Sequence, residues 1–106
     1  MSYRFMRILV MFDLPITTVA DRREYTRFRK YLIKNGYMML QESVYCKLVQ
    51  NKQAADWAIG NLRKNRPESG LVQALCVTEK QFSKMEFIVG TMQTDVIDSD
   101  ERILFL

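Results

Sequence analysis

Tyr37-Met38-Met39-Leu40-Gln41-Glu42-Ser43-Val44-Tyr45-Cys46-Lys47-Leu48-Val49 is an unbroken extended stretch except for its three central polar residues. Its length exceeds the usual strand of about five or six residues. It reads as two strands joined at Gln41-Glu42-Ser43, or as one long strand bent there by a bulge. The choice decides the fold, because two strands at this place sit between two helix patterns and complete a β-α-β-β-α-β order.

Working back towards the N-terminus, residues 17–35 carry the first helix pattern. A threonine N-cap precedes Val19-Ala20-Asp21, which puts an acid in the first turn, and Gly36 suits the position just past the helix end. Tyr25, Phe28 and Leu32 recur at helical spacing and form the core stripe. Before that helix, residues 3–13 read as a strand. Met6, Ile8, Val10 and Phe12 fall on one face, and Phe5, Leu9 and Met11 on the other. A strand that is apolar on both faces needs two covers. Helices supply one, and the sheet of a partner subunit is expected to supply the other.

On the other side of the deciding stretch, Asn51 caps a helix expected over 52–64, with Ala55, Ala58, Ile59 and Leu62 on its apolar face. A basic turn, Arg63-Lys64-Asn65-Arg66-Pro67-Glu68-Ser69-Gly70, leads into an alternating strand from Leu71 to Thr78. The fold class is therefore α+β, a ferredoxin-like βαββαβ sandwich with two helices on one face of an antiparallel sheet. Phe87-Ile88-Val89-Gly90 reads as an additional C-terminal strand, which together with the two-faced first strand points to a homodimer through the sheet face and this strand. The domain is expected to span residues 1–90. Residues 91–106 form an acidic tail whose last run, Ile103-Leu104-Phe105-Leu106, is expected to add to another chain's sheet edge, with Ile103 and Phe105 filling pockets.

Composition narrows the chemistry. The chain has 106 residues, 48% hydrophobic and 26% charged, which bounds it to one globular domain. There is no apolar run of membrane-spanning length and no signal-peptide pattern, so no membrane partner and a cytoplasmic location are expected. The two cysteines lack a CxxC spacing, and there is no histidine. That argues against a zinc site, a disulfide framework, Ser-His or Cys-His nucleophiles and an imidazole base.

The net charge of +4 is unevenly spread. Residues 1–84 hold fifteen bases and seven acids, whereas residues 85–106 hold one base and five acids. A basic body implies a polyanionic partner. On the first helix, beyond the first-turn Asp21, Arg22, Arg23, Arg27, Arg29, Lys30 and Lys34 face one acid, Glu24. Arginine predominates, and its planar fork matches phosphate. With few exposed aromatics expected and no ribonucleoprotein consensus, backbone binding to double-stranded DNA or another duplex fits better than reading of a single strand. The expected phosphate contacts are Arg22, Arg23, Arg27 and Lys30.

Asp13 ends the most apolar strand, and Leu14-Pro15 stop it at once. It reads either as a turn or cap aspartate or as a metal ligand at a strand end. Phosphodiester hydrolysis without histidine points to a divalent metal, and magnesium needs only one or two carboxylates. Two copies of Asp13 across a dimer two-fold could make a site that neither chain has alone.

The order of these features resembles the small CRISPR-associated adaptation protein, the second core subunit of spacer acquisition. The resemblance rests on Phe12-Asp13 at the end of the first strand, the basic helix closed by Gly36, Gln41-Glu42-Ser43-Val44-Tyr45, Thr78-Glu79-Lys80-Gln81-Phe82 and Phe87-Ile88-Val89-Gly90. It implies a ferredoxin-like homodimer that bridges dimers of the CRISPR integrase subunit and holds the duplex of the incoming spacer. It also implies a magnesium-dependent endonuclease activity on RNA or DNA with Asp13 as catalytic metal ligand, and the integrase subunit as the partner of the tail. The alternative from the same fold is a stand-alone, toxin-like metal-dependent endoribonuclease.

Overall fold

The computed structural model describes residues 5–91. The elements run β1 (Met6–Asp13), α1 (Val19–Lys34), β2 (Met38–Gln41), β3 (Val44–Val49), α2 (Lys52–Lys64), β4 (Leu71–Thr78) and a short α3 (Glu79–Phe82). The four strands form one antiparallel sheet in the order β2-β3-β1-β4. This is the ferredoxin-like arrangement expected.

The deciding stretch resolves into two strands. Gln41 pairs with Val44, Ser43 takes φ +66°, and the pairing slips between Met39 and Gln41. A left-handed residue at the end of the turn, beside a bulge in the ladder, is one of the common ways a tight hairpin closes. Ser43 is the one described non-glycine residue with a positive φ, and its carbonyl accepts a bond from Phe12 N–H at 3.1 Å. The hairpin turn is thereby tied to the end of β1.

Both helices start as the caps predict. Thr18 and Asp21 form a reciprocal capping box on α1, and Asn51 accepts from Ala54 N–H on α2. Phe28 and Leu32 from α1, and Ala55, Ala58 and Leu62 from α2, are buried against Ile8, Val10 and Phe12. The Phe12 ring meets Phe28 edge-on at 5.4 Å, Tyr25 edge-on at 6.0 Å, and stacks on Tyr45 at 5.8 Å. Burying one such ring contributes about 2–3 kcal/mol, so Phe12 is a firm anchor for the residue that follows it.

The opposite sheet face is uncovered across most of its area. Alternation puts Arg7, Leu9, Met11 and Asp13 of β1 there, beside Leu48 of β3 and Leu71, Leu75 and Val77 of β4. Leu48, Leu71 and Leu75 are exposed. One end of this face is occupied by α3, a single turn too short to declare itself by periodicity. The Arg7 guanidinium makes a two-pronged pair with Glu79 at 2.9 and 2.7 Å, lies 4.3 Å over the Phe82 ring and donates to Cys46 Sγ at 3.6 Å. The bond to Glu79 holds the Arg7 pKa above its ordinary value, against the opposing effect of burial.

The extra strand expected at 87–90 is not formed in the single chain. Phe87, Ile88 and Val89 are exposed, Val89 at 91%, and lie outside any ladder. An extended segment becomes a strand only when another backbone takes its hydrogen bonds. The expected docking residues Ile103 and Phe105 lie outside the described residues.

Candidate functional site

Two surfaces carry the residues that the sequence marks out, and the sheet separates them. Asp13 is the last residue of β1, pairs with Leu71 of β4 and is exposed. Its position follows from local sequence. Buried Phe12 and buried Leu14 pin the chain on either side, so the intervening carboxylate is turned to the uncovered face. Among the described residues no group of three histidine, cysteine, aspartate or glutamate side chains could hold a metal ion. The single carboxylate is an oxygen donor of the kind magnesium takes, with water and phosphate filling the other positions.

The basic residues lie on the helical side. Arg22, Arg23, Arg27 and Lys30 together line one shallow groove on α1, of about 500 Å³, with Val19 and Thr26 between them. The structure thus brings all four together but does not leave them equivalent. Arg22 donates to the carbonyls of Ile16 and Thr17, bracing the loop that enters the helix. Arg27 grips Glu24 with both prongs at 3.0 and 2.9 Å and reaches the carbonyls of Asn65 and Arg66. That pairing holds the Glu24 carboxyl below its usual range and the Arg27 guanidinium above its own. Arg27 is therefore largely a structural tie between α1 and the end of α2. Among the described residues Arg23 and Lys30 have no carboxylate partner. Within this groove these two are the cations that no named bond engages. Arg29, counted with the basic surface in the sequence, donates to the hydroxyl of buried Tyr45 at 3.0 Å.

The tie made by Arg27 brings the end of α2 into the same helical layer, where Arg63, Lys64 and Arg66 are exposed. A second groove, of about 460 Å³, runs between this end and the outer edge of β4, lined by Leu62, Arg63, Arg66, Leu71 and Val72 among others.

One aromatic escaped the sequence reading. Trp57 is 73% exposed on α2. The periodicity that picks out Ala55, Ala58 and Leu62 already places it off their stripe, so the signal was present and lay in the residue that did not fit.

Among the described residues no helix is long and apolar enough to cross a membrane. Comparison with known proteins agrees with the topology. A solved structure described as the crystal structure of cas2 superposes with a TM-score of 0.58 at 20% identity, covering 94% of this chain and 99% of that one, which shows the fold. The "CRISPR-associated endoribonuclease Cas2" of Treponema denticola is 50% identical over 101 residues, 95% of this chain and all of that protein. The protein of the same description from Streptococcus mutans UA159 is 43% identical over 101 residues, 95% of this chain and 93% of its own. The one from Acidovorax ebreus is 48% identical over 85 residues, 80% and 83% of the two chains. The family model described as CRISPR associated protein Cas2 matches residues 6–85, from the first residue of β1 to just beyond α3. With that span, and with relatives this similar over nearly their whole length, the chain belongs to the Cas2 family of CRISPR-associated proteins.

Proposed function

We propose that this chain acts in spacer acquisition as a homodimer that bridges integrase dimers and binds the duplex of the incoming spacer. The observation that carries the reading is the two-sidedness of the sheet. One face is covered by helices bearing cations without carboxylate partners, Arg23 and Lys30, and the other is apolar and bare. A bare apolar face of this kind is stabilised by burial against a second copy. The exposed Phe87–Val89 segment supplies backbone groups to the partner's sheet edge. Ile103 and Phe105 dock the acidic tail on the integrase subunit, since duplex phosphate repels that tail. Family membership favours this role over a stand-alone toxin-like endoribonuclease.

A second reading, magnesium-dependent endonuclease, is supported by Asp13 on the rim of the bare face and by the name endoribonuclease that the relatives carry. Stacking two such faces about a two-fold gives Asp13 a second carboxylate. Magnesium bound there would neutralise phosphate charge and lower the pKa of a bound water.

Sedimentation and duplex retardation test the main reading together. Wild type sediments as a dimer at micromolar concentration and shifts a duplex. Leu48→Glu with Leu75→Glu, which place charge on the bare face, yields a folded monomer that binds duplex more weakly. A wild-type protein that remains monomeric overturns the reading.

A further inference from the structure

The single tryptophan of the chain stands where it contributes nothing to the core. Trp57 is exposed on the side of α2 away from Ala55, Ala58 and Leu62. One turn on, Gly60 is equally unaccounted for. Apart from its own turn of helix, a Cβ there would meet no atom within 4 Å, so no close approach by another element requires glycine. Glycine nonetheless weakens a helix interior relative to alanine. A further turn along the same line of the helix is Lys64, exposed, followed by Arg66. At the other end of the helix Lys52 is neutralised by Asp56 at 3.0 Å. The outward side of α2 therefore presents a flat aromatic ring, a step without a side chain, and then cations with no carboxylate partner among the described residues.

Those cations are not isolated from the groove on α1. Arg27, bonded to the carbonyls of Asn65 and Arg66, fixes the end of α2 beside Arg23 and Lys30. We propose that Trp57 is a stacking platform for an unpaired nucleotide. The base lies on the indole, Gly60 leaves clearance for the sugar, and Lys64 meets the phosphate. Single-stranded sites combine these same elements, a stacking ring and a positive track for the backbone. A docked apolar surface, the usual cover of an exposed indole, would have to desolvate Lys64 and Arg66 without pairing them, which is costly. The inference rests on the nucleic-acid reading above and extends it from the duplex to an unpaired end.

Because Trp57 is the sole tryptophan, its emission reports on this site alone. The full chain is titrated with oligothymidylate and oligouridylate of about ten nucleotides, a blunt duplex, and the same duplex with an unpaired extension. Quenching by the extended duplex and by one or both oligonucleotides, but not by the blunt duplex, supports the platform. The two oligonucleotides separate DNA from RNA as the source of the base. Trp57→Ala is expected to remove the preference for the extended duplex, on the order of tenfold, and to leave blunt-duplex affinity unchanged. Trp57→Phe, which keeps a ring, retains part of the preference. Blunt-duplex binding with no preference for the extension and no quenching overturns this inference alone. A blue shift produced only by a protein partner also overturns it, and assigns the ring to docking. Failure of every nucleic acid to bind overturns the duplex reading as well.

Discussion

Gly70 lies so close beneath the Asp13 carbonyl that a Cβ at that position would stand 2.8 Å from the oxygen and 2.8 Å from Leu14 Cδ2. Its φ of +93° lies in the region that side chains rarely adopt. The turn before β4 is thereby fitted against the backbone of Asp13, whose carboxylate lies on the rim of the bare face.

Replacing Gly70 with alanine is expected to cost about 1–3 kcal/mol through strain and overlap together. Urea unfolding measures it. Gly60→Ala is the matched control: with open space around the added methyl, it should raise stability by up to about 1 kcal/mol. Equal effects at the two positions would contradict the contrast in their surroundings.

For the α1 groove, Arg23→Ala and Lys30→Ala should each weaken duplex binding. Each should also flatten its salt dependence by about one unit of slope for every phosphate left without its cation. Arg27→Ala should act differently. It releases the Glu24 pair and the tie to Asn65 and Arg66, so the loss should appear first in thermal stability. Titrations at several salt concentrations beside melting curves separate the two behaviours.

Tyr37 gives a dependence on alkaline pH. Its hydroxyl is buried without a hydrogen-bond partner, and burial, with the neighbouring Tyr31 adding to it, pushes the phenol up to about 12 from its ordinary 10.0. A raised pKa in the folded state means that the contribution is complete below about pH 10. It is lost as pH rises towards 12, because the unfolded chain releases the proton first. Tyr37→Phe removes both the orphaned hydroxyl and this decline. It should be neutral or stabilising by about 1 kcal/mol at neutral pH, and its unfolding free energy should fall less steeply between pH 10 and 12 than that of wild type.

How much of the molecule is legible in its sequence differs from element to element. The helix starts are, because Thr18, Asp21 and Asn51 act through bonds within a few residues of themselves. The hairpin stays one of two options on sequence alone, since the turn at Ser43 is tied to Phe12, far away in the chain. The basic groove is legible as a set but not in its division of labour. Whether a guanidinium is free or engaged depends on carbonyls such as those of Asn65 and Arg66, which only the packing of α1 against α2 brings near. The strand expected at 87–90 shows the same limit in another form: apolar composition marks the segment, but among the described residues no backbone pairs with it.

At Asp13, Asp13→Asn keeps shape and removes the charge that a metal needs. Magnesium-dependent cleavage of RNA or DNA by the purified protein should be lost, and duplex affinity should stay within about threefold, since Asp13 and the α1 groove lie on opposite sides of the sheet. Cleavage that survives the substitution would remove Asp13 from the metal site.

Truncation after Asp98 is expected to leave a dimer that still binds duplex and no longer retains the integrase subunit in a pull-down. Retention by the shortened chain would place the docking surface within the folded domain.

The uncovered face of the sheet has a consequence for how the protein is produced. Leu48, Leu71 and Leu75 form an exposed apolar surface, and in the proposed homodimer they make half of a hydrophobic core whose other half lies on the second copy. When the second half comes from an identical chain, folding free energy and copy number are one variable: dilution shifts the equilibrium towards the less stable monomer by mass action. The amount made by a cell, as much as the sequence, then sets how much of the protein is in its lasting form.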